Sequence, residues 1–298
     1  MENINKKEEN LDKKNHKKLF KILKIISIII MFITLLLLYS RFIATKGITV
    51  KEYNINAPTI PDSFDGLKIA HISDIHYGRT TDKNQLNELV SKLNEIKPDI
   101  VIFTGDLIDK DTKLDDKKTN EIIEVLSKIE ATLGKYSIKG NHDYSFDEFD
   151  KIINESGFTN ISDSYELIYN KSKNPIMIIG LNSNLKSDKL IQSKIENINE
   201  NIKEIDCSYK ILMLHEPDYV SDIDYNSYNL ILAGHSHGGQ IRLPLIGSII
   251  TPTKAKIFHD EYYKLNNTNL FISSGIGTST VSFRLFNKPS FNLYRISK

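Results

Sequence analysis

Five short groups of polar residues each follow an apolar segment, and this repeated pattern constrains the fold more than any other feature of the sequence. The apolar segments are short and rich in Ile, Leu, Val and Phe, which is typical of buried β-strands. Because the carboxyl ends of parallel strands lie along one edge of a sheet, the polar groups should converge there. In chain order they are Asp74-Ile75-His76, Gly105-Asp106, Gly140-Asn141-His142-Asp143, His215 and Gly234-His235-Ser236-His237.

The converging side chains are carboxylates, imidazoles and one amide, which are ligands for hard or borderline divalent cations. Asp74 and His76 are two residues apart at the end of a strand, so both side chains point the same way and can reach one ion. The single carboxylate of Asp106 has two oxygens and can bridge two cations. Because the set contains no cysteine, it favours Mn, Fe or Zn in a catalytic centre over a structural zinc site.

Between the strand segments, apolar residues recur at helical spacing. One such stripe runs over Leu86–Ile96, is started by Thr81 or Asp82, and is closed by Pro98. The alternation of strands and helices in the first half of the chain predicts a parallel sheet covered by helices. In the second half the strand segments are more closely spaced, which favours a second sheet packed on the first.

The N-terminal region contains an apolar run that predicts a membrane anchor. The segment from Ile25 to Tyr39 is almost entirely Ile, Leu, Met and Phe, and residues 19–44 can cross a hydrocarbon layer of about 30 Å. Lysines upstream place the N-terminus in the cytoplasm and the rest of the chain outside the cell membrane, as a single-pass protein. A cleaved signal peptide is the alternative, but residues 39–46 form a poor cleavage site.

These features predict four regions. Residues 1–18 form a disordered, basic, cytoplasmic tail, residues 19–44 the anchor, residues 45–66 a linker with a first strand, and residues 67–298 the catalytic domain. Residues 1–24 hold eight lysines against four acidic residues, which leaves a charge of −3 for the others when the chain total is +1. That balance argues against nucleic acid as a partner. The single cysteine, Cys207, excludes an internal disulfide, and the oligomeric state stays open.

The ordered set D-x-H, G-D, G-N-H-D, H and G-H-x-H resembles the calcineurin-like metallophosphoesterase superfamily over roughly residues 66–290. Three further segments resemble its membrane-associated branch, which includes YkuE-like and YaeI-like phosphoesterases and the UDP-2,3-diacylglucosamine pyrophosphatases. These segments are Ser73–His76 followed by Gly78, His215–Pro217, and Gly238–Pro244. The resemblance implies an α/β fold, a four-layer α/β/β/α sandwich of two mixed sheets, here preceded by one transmembrane helix.

The resemblance also implies how the side chains divide between two divalent metal ions, Mn, Fe or Zn. One ion would be held by Asp74, His76, Asp106 and His237, and the other by Asp106, Asn141, His215 and His235. We predict that His142 acts beside the metals as a general acid. Asp109 occupies the position where family members have a carboxylate that orients this histidine.

The sequence therefore predicts a metal-dependent hydrolase of a phosphate ester or pyrophosphate bond that acts at or near the membrane. Its substrate would be a phosphorylated small molecule or a lipid, such as a phospholipid or a nucleotide-linked lipid. Arg79, Arg242 and Arg284 are candidates for holding a second phosphate or a substrate carboxylate. The alternatives are a phosphodiesterase or phosphatase for soluble substrates, a nuclease or cyclic-nucleotide phosphodiesterase, and an inactive binding scaffold.

Overall fold

The computed structural model describes residues 2–183 and 188–298 and divides the chain into two units, the first ending at Ile43 and the second covering Ala44–Lys298. The first unit is the helix α1 (Glu2–Leu38), which continues as a π-helical turn over Tyr39–Ile43. Its segment Asp12–Ile43 is long and apolar enough to cross a membrane, a test that a signal sequence also passes. The helix begins at Glu2, inside residues 1–18, for which the sequence predicts disorder. Lysine and glutamate favour helix and can extend a helix that has already formed.

The second unit contains four further helices and two large sheets among its described residues. The helices are α2 (Lys83–Ile96), α3 (Asp116–Leu126), α4 (Phe149–Glu155) and α5 (Asp188–Ile202). The strands up to the middle of the chain are β1 (Thr49–Asn56), β2 (Leu67–Ile72), β3 (Ile100–Phe103), β4 (Gly134–Ser137), β5 (Thr159–Asn160), β6 (Ser164–Ile168) and β7 (Ile176–Gly180). The later strands are β8 (Lys210–Met213), β9 (Leu230–Ala233), β10 (Arg242–Leu243), β11 (Gly247–Ser248), β12 (Tyr262–Leu265), β13 (Thr268–Ile272) and β14 (Ser290–Ser297).

Both large sheets are mixed, with a parallel centre. The first has the strand order β1-β14-β2-β3-β4-β5, in which β2 to β5 run parallel and β14 is antiparallel to β2. The second has the order β12-β13-β9-β8-β7-β6, in which β13, β9, β8 and β7 run parallel and the two edge strands are antiparallel. A two-stranded hairpin of β10 and β11 lies outside both sheets.

Three apolar cores hold the layers together. Alternate residues of β2 and β3 face either α2, α3 and α4 or the second sheet, as Ala70 and Ile69 do. The second sheet in turn packs Ile179 and Leu212 against Ile191 and other residues of α5. The result is the four-layer α/β/β/α sandwich expected from the sequence, and the fold prediction is confirmed.

The apolar segments of the sequence at residues 67–73, 99–104, 135–139, 175–181, 210–214, 228–233 and 269–273 all form strands, whose ends differ from those of the segments by only one or two residues. The helix predicted to start at Thr81 or Asp82 has Asp82 as its N-cap, whose side chain accepts a hydrogen bond from the Gln85 backbone N–H. Strand β1 pairs with β14 along its whole length, so the compact domain begins before residue 67.

Candidate metal centre

All seven predicted ligands lie just beyond the carboxyl ends of parallel strands, four after strands of the first sheet and three after strands of the second. After β2, β3 and β4 these are Asp74, His76, Asp106 and Asn141, and after β8 and β9 they are His215, His235 and His237. The packing of one sheet on the other therefore brings together residues that are distant in the sequence.

The first group consists of Asp74, His76 and His237, whose ligand atoms all lie within 4.8 Å of one another. The Nε2 atom of His237 is 3.4 Å from Asp74 Oδ1 and 3.1 Å from His76 Nε2. All three side chains are buried. These are spacings that ligands of one shared cation could adopt.

The second group consists of Asp106, His215 and His235, which lie within the same 4.8 Å limit. His215 Nε2 is 3.3 Å from Asp106 Oδ2, and His76 Nε2 of the first group is 3.5 Å from the same oxygen. Asp106 therefore stands between the two groups. The backbone N–H of His142 donates a hydrogen bond to the other oxygen of Asp106, Oδ1, at 2.8 Å.

Five of the seven predicted ligands have left-handed backbone conformations. Their φ angles are 50° at Asp74, 44° at His76, 60° at Asp106, 64° at His235 and 50° at His237. Non-glycine residues adopt this region at an energetic cost, and such residues cluster at functional sites. The fold thus holds these residues in strained turns that aim their side chains into one small volume.

The outer hydrogen bonds of two histidines fix which ring nitrogen faces the centre. His215 Nδ1 donates to the Thr104 carbonyl at 2.7 Å, and His235 Nε2 donates to the Thr253 carbonyl at 2.8 Å. In its neutral form, each ring therefore turns the nitrogen without a proton inward, as metal-binding histidines with a carbonyl behind them do. Among the described residues, buried atoms without a hydrogen-bond partner include His215 Nε2, His237 Nδ1 and Asn141 Oδ1.

Buried polar atoms without partners cost about 1–3 kcal/mol each, and a cation would satisfy the lone pairs of His215 Nε2 and Asn141 Oδ1. The donor set of carboxylates, imidazoles and an amide is also the one expected for a divalent ion. The described residues therefore fit a divalent metal site.

The charges of the centre also favour a bound cation. Burial alone would raise the pKa of Asp106, but neighbouring His215, His76 and His142 lower it below its usual value. Burial tends to lower the pKa of His215, but the Asp106 carboxylate raises it well above the ordinary value. An ionised Asp106 thus attracts positive charge, and a bound cation would compete with the proton on His215.

Asp143 joins the turns that follow β3 and β4. Its carboxylate accepts three backbone hydrogen bonds of 2.8 Å, from the N–H groups of Asp106, Leu107 and Gly140. Burial, together with repulsion from Asp106, raises the pKa of Asp143 to about 7. Asp143 therefore fixes the backbone around Asp106, whose carboxylate the two groups share.

The contacts of His142 differ from the sequence expectation. Its Nδ1 accepts a hydrogen bond from the Lys110 backbone N–H at 3.1 Å, whereas Asp109 Oδ2 is 4.0 Å away. Asp109 instead lies 3.6 Å from His76 Nδ1 and pairs with Arg79 Nε at 2.8 Å. A backbone N–H, rather than the Asp109 carboxylate, is therefore within hydrogen-bond distance of His142 Nδ1.

The comparisons with known proteins agree with this geometry. The family model described as calcineurin-like phosphoesterase matches residues 67–239, which is more than half of the chain. The chain belongs to the calcineurin-like phosphoesterase family. It is 30% identical over 261 residues to the uncharacterized metallophosphoesterase YkuE of Bacillus subtilis, covering 87% of this chain and 88% of that protein.

A second relative of this phosphoesterase is a transmembrane protein with a metallophosphoesterase domain from Danio rerio. The two are 23% identical over 267 residues, which is 86% of this chain and 59% of that protein. Among solved structures, GAP50, described as the anchor in the inner membrane complex of Plasmodium, aligns with a TM-score of 0.47 and 13% identity. That alignment covers 76% of this chain and 80% of the other.

Family membership makes the protein a hydrolase that acts on phosphate esters. The family and the His and Asp clusters together indicate that this phosphoesterase binds divalent metal.

The three arginines predicted to bind substrate are all engaged within the phosphoesterase itself. Arg284 is fully buried, and its guanidinium donates to backbone carbonyls of residues 274–288, including Gly275 and Gly277. The prediction that Arg284 holds a substrate phosphate is wrong, because no N–H of that group is left to face a ligand. Arg242 bonds the Gly238 carbonyl, Ser248 and Asp260, and Arg79 pairs with Asp109 and Asp111.

Arg284 supports the centre by holding the loop that packs against Asp74. The loop that it holds passes so close to the first group that a Cβ added at Gly275 would lie 2.7 Å from Asp74 Cβ. Sequence reasoning missed this role because a buried arginine and a substrate-binding arginine give the same signal. The backbone groups of Thr104, Lys110 and Thr253 were also missed, and they leave no signal in side-chain type.

A cavity of about 140 Å³ opens onto the centre of the phosphoesterase. Asp106, His142, His235 and His237 are among the residues that line it. Its lining also includes apolar residues, namely Ile241, Ile250, Pro252 and Val281. A bound phosphate ester would therefore meet both the charged centre and apolar side chains.

Proposed function

We propose that this protein is a two-metal phosphoesterase that hydrolyses a phosphate ester or pyrophosphate bond at a membrane. The observation that carries the proposal is the pair of buried His and Asp groups that share Asp106 Oδ2, at 3.3 Å from one group and 3.5 Å from the other. A single carboxylate oxygen between two sets of imidazoles is the arrangement expected of a ligand that bridges two cations.

In this proposal the first ion is held by Asp74, His76, Asp106 and His237, and the second by Asp106, Asn141, His215 and His235. Two divalent ions, Mn, Fe or Zn, would supply positive charge for the phosphoryl oxygens and would lower the pKa of an attacking water. The chain contributes the strained turns that fix the ligands and the carbonyls of Thr104 and Thr253 that set the ring tautomers.

His142 is proposed as the residue that acts on the leaving oxygen. Because its Nδ1 accepts from the Lys110 N–H, the neutral ring carries its proton on Nε2. The ring lines the cavity, and Nε2 is 4.0 Å from Asp106 Oδ2. His142 is thereby positioned to donate a hydrogen bond from Nε2 to a phosphoryl or leaving oxygen, a more specific role than the general acid predicted from sequence.

Asp109 is proposed to orient His76 rather than His142. Its Oδ2 lies 3.6 Å from His76 Nδ1, and the salt bridge from Arg79 holds the carboxylate in place. A carboxylate behind a ligating imidazole fixes the ring and raises its basicity.

We further propose that the helix spanning Asp12–Ile43 anchors the chain as a single-pass membrane protein, with its N-terminus in the cytoplasm and the catalytic domain outside. The length and composition of the helix support this, as does the basic stretch before it. The similarity to a transmembrane protein of Danio rerio also supports it.

A phospholipid or nucleotide-linked lipid is the proposed substrate class. The apolar residues in the lining of the cavity, Ile250 and Val281 among them, support a substrate with an apolar portion next to its phosphate. A soluble phosphate ester remains the competing substrate class, and the two are separated by testing both with the same preparation.

The test is a turnover assay of the full chain, purified in lipid nanodiscs with Mn added, on soluble aryl phosphates, diesters, pyrophosphates and lipid phosphates. Asp106→Ala should abolish turnover of every substrate that the wild type hydrolyses. Asp147→Ala makes the same change at an exposed position and should leave turnover unchanged. Turnover that survives Asp106→Ala would refute the metal-centre proposal.

A further inference from the structure

The segment that follows the last predicted ligand exposes an unusual number of large apolar side chains. Leu245, at the tip of the β10–β11 hairpin, is fully exposed, and Ile246, Ile250 and Phe286 are 73%, 70% and 66% exposed. Ile249 is also more than half exposed. We call these five residues the apolar rim. Single exposed apolar residues are normal on a protein surface, but a group of this kind marks an interaction site.

The members of the apolar rim are held together by backbone contacts. The Arg242 N–H at the base of the hairpin donates to the Leu285 carbonyl at 2.9 Å, which sets Phe286 beside the hairpin. Leu245 itself has a left-handed backbone with φ of 68°. A leucine in that conformation carries a backbone cost and gains no burial in return, which indicates that the hairpin is shaped for something outside the domain.

The apolar rim is continuous with the metal cavity. Ile250 belongs to the rim and also lines the cavity, as do Pro252 and His235. A molecule whose phosphate occupies the cavity could therefore extend an apolar portion along Ile250 toward the rim.

The short tether between the two units favours the bilayer as the surface that the rim contacts. The apolar helix unit ends at Ile43, and β1 of the catalytic domain begins at Thr49, so the intervening residues span at most about 20 Å when extended. If the helix crosses the bilayer, the domain stays at its surface. Leu243–His259 also contains two lysines and no acidic residue, so anionic headgroups would not repel it.

We propose that the apolar rim inserts into the surface of the bilayer and so opens the metal cavity toward the headgroups of that leaflet. This inference rests on the membrane anchor and the phosphoesterase activity proposed above. It assigns to residues 243–250 and Phe286 the role of a lipid-contacting surface, and to the cavity a phosphate ester that stays in the membrane while it reacts.

The test uses the absence of tryptophan from this chain. A Leu245→Trp variant of the full chain, in vesicles that contain brominated phospholipids, has a single tryptophan at the tip of the rim. Tyr169→Trp is the matched control, because Tyr169 is 53% exposed and follows β6, at the far edge of the second sheet. We expect blue-shifted emission and strong quenching by brominated lipid at position 245, and unshifted, weakly quenched emission at position 169.

The functional arm compares wild type with the double variant Leu245→Asp and Ile246→Asp, neither of which lines the cavity. Turnover of a lipid phosphate in vesicles should fall roughly tenfold or more, because two charged groups would have to enter the bilayer in place of apolar ones. Turnover of a soluble aryl phosphate should not change. Equal loss on both substrates would overturn the proposal.

Four outcomes separate this proposal from those on which it rests. Absence of lipid quenching at position 245 overturns the rim proposal. A blue shift that appears without lipid and grows with protein concentration also overturns it, because a second copy of the chain would then cover the rim. Release of the chain by carbonate washing overturns the anchor alone, since lipid quenching at position 245 in vesicles still tests the rim. Activity retained by Asp106→Ala overturns the metal chemistry alone.

Discussion

Replacing Gly140 by alanine should damage the shared carboxylate without removing any ligand. A Cβ at this position would lie 2.5 Å from the Asp106 backbone nitrogen and 2.3 Å from Asp106 Oδ1. Ordinary van der Waals contact begins near 3.4 Å, so Asp106 or its neighbour must move by about 0.9 Å. Because one of the contacts is with backbone, rotation of the Asp106 side chain cannot relieve it.

A displacement of about 1 Å at a reacting centre costs on the order of 100-fold in rate, and overpacking costs about 1–3 kcal/mol of stability. We expect Gly140→Ala to lower kcat for the best substrate by about that factor and to weaken binding of both ions. The assay is turnover with increasing Mn, together with metal titration by calorimetry and circular dichroism to confirm folding.

Gly66→Ala is the control, since a Cβ there meets nothing within 4 Å although φ is +83°. It should lose some stability and keep its metal affinity and turnover. Wild-type metal affinity and turnover in folded Gly140→Ala would refute the argument that the two turns are packed against each other to position Asp106.

Three further predictions concern residues around the centre. Burial lowers the pKa of His71 from 6.5 to about 3, so the stability it contributes is complete above pH 6.5 and is lost as the pH falls toward 3. At about pH 5 the loss is about 2 kcal/mol, and chemical denaturation of His71→Gln should lack this part of the pH dependence. His142→Ala should lower kcat about 100-fold with metal content unchanged. His142→Gln keeps an N–H donor and should recover part of the lost kcat. Equal losses of kcat in the two variants would favour proton transfer over hydrogen bonding as the role of His142. Arg284→Lys should weaken metal binding about tenfold or more by loosening the loop against Asp74, whereas Arg295→Lys, an exposed control, should not.

The convergence of the predicted ligands was predictable because each of them stands shortly after an apolar strand. Asp74, Asp106 and His215 have this signal in common, and a parallel sheet brings strand ends together whatever their separation in sequence. The strand and helix positions followed from the same alternation. The packing of two sheets followed from the close spacing of strands in the second half.

The sequence could not predict the roles of residues that act through backbone atoms or whose burial decides what they contact. The Lys110 N–H takes the place that we had assigned to Asp109, and a main-chain donor has no side-chain signature. Arg284 was assigned to substrate because arginine commonly binds phosphate, whereas the fold encloses it among carbonyls. Strand β14, which pairs with both β1 and β2 in the first sheet, was missed because long-range pairing is not encoded in local pattern.

The apolar rim was also beyond reach of the sequence. Leu245, Ile246 and Ile250 read as an ordinary apolar segment, and only their exposure in the structure separates them from core residues. Their position beside the cavity then connects an interaction surface with the chemistry of the centre.

Two ions that share Asp106 define the proposed centre, and the number of divalent ions bound per chain tests this most directly. We predict two Mn ions per wild-type chain by calorimetric titration and elemental analysis of the same sample. His235→Ala, which removes a ligand of the second group only, should reduce this number to one. A wild-type chain that binds a single ion, or a His235→Ala variant that still binds two with unchanged affinity, would contradict the proposed centre.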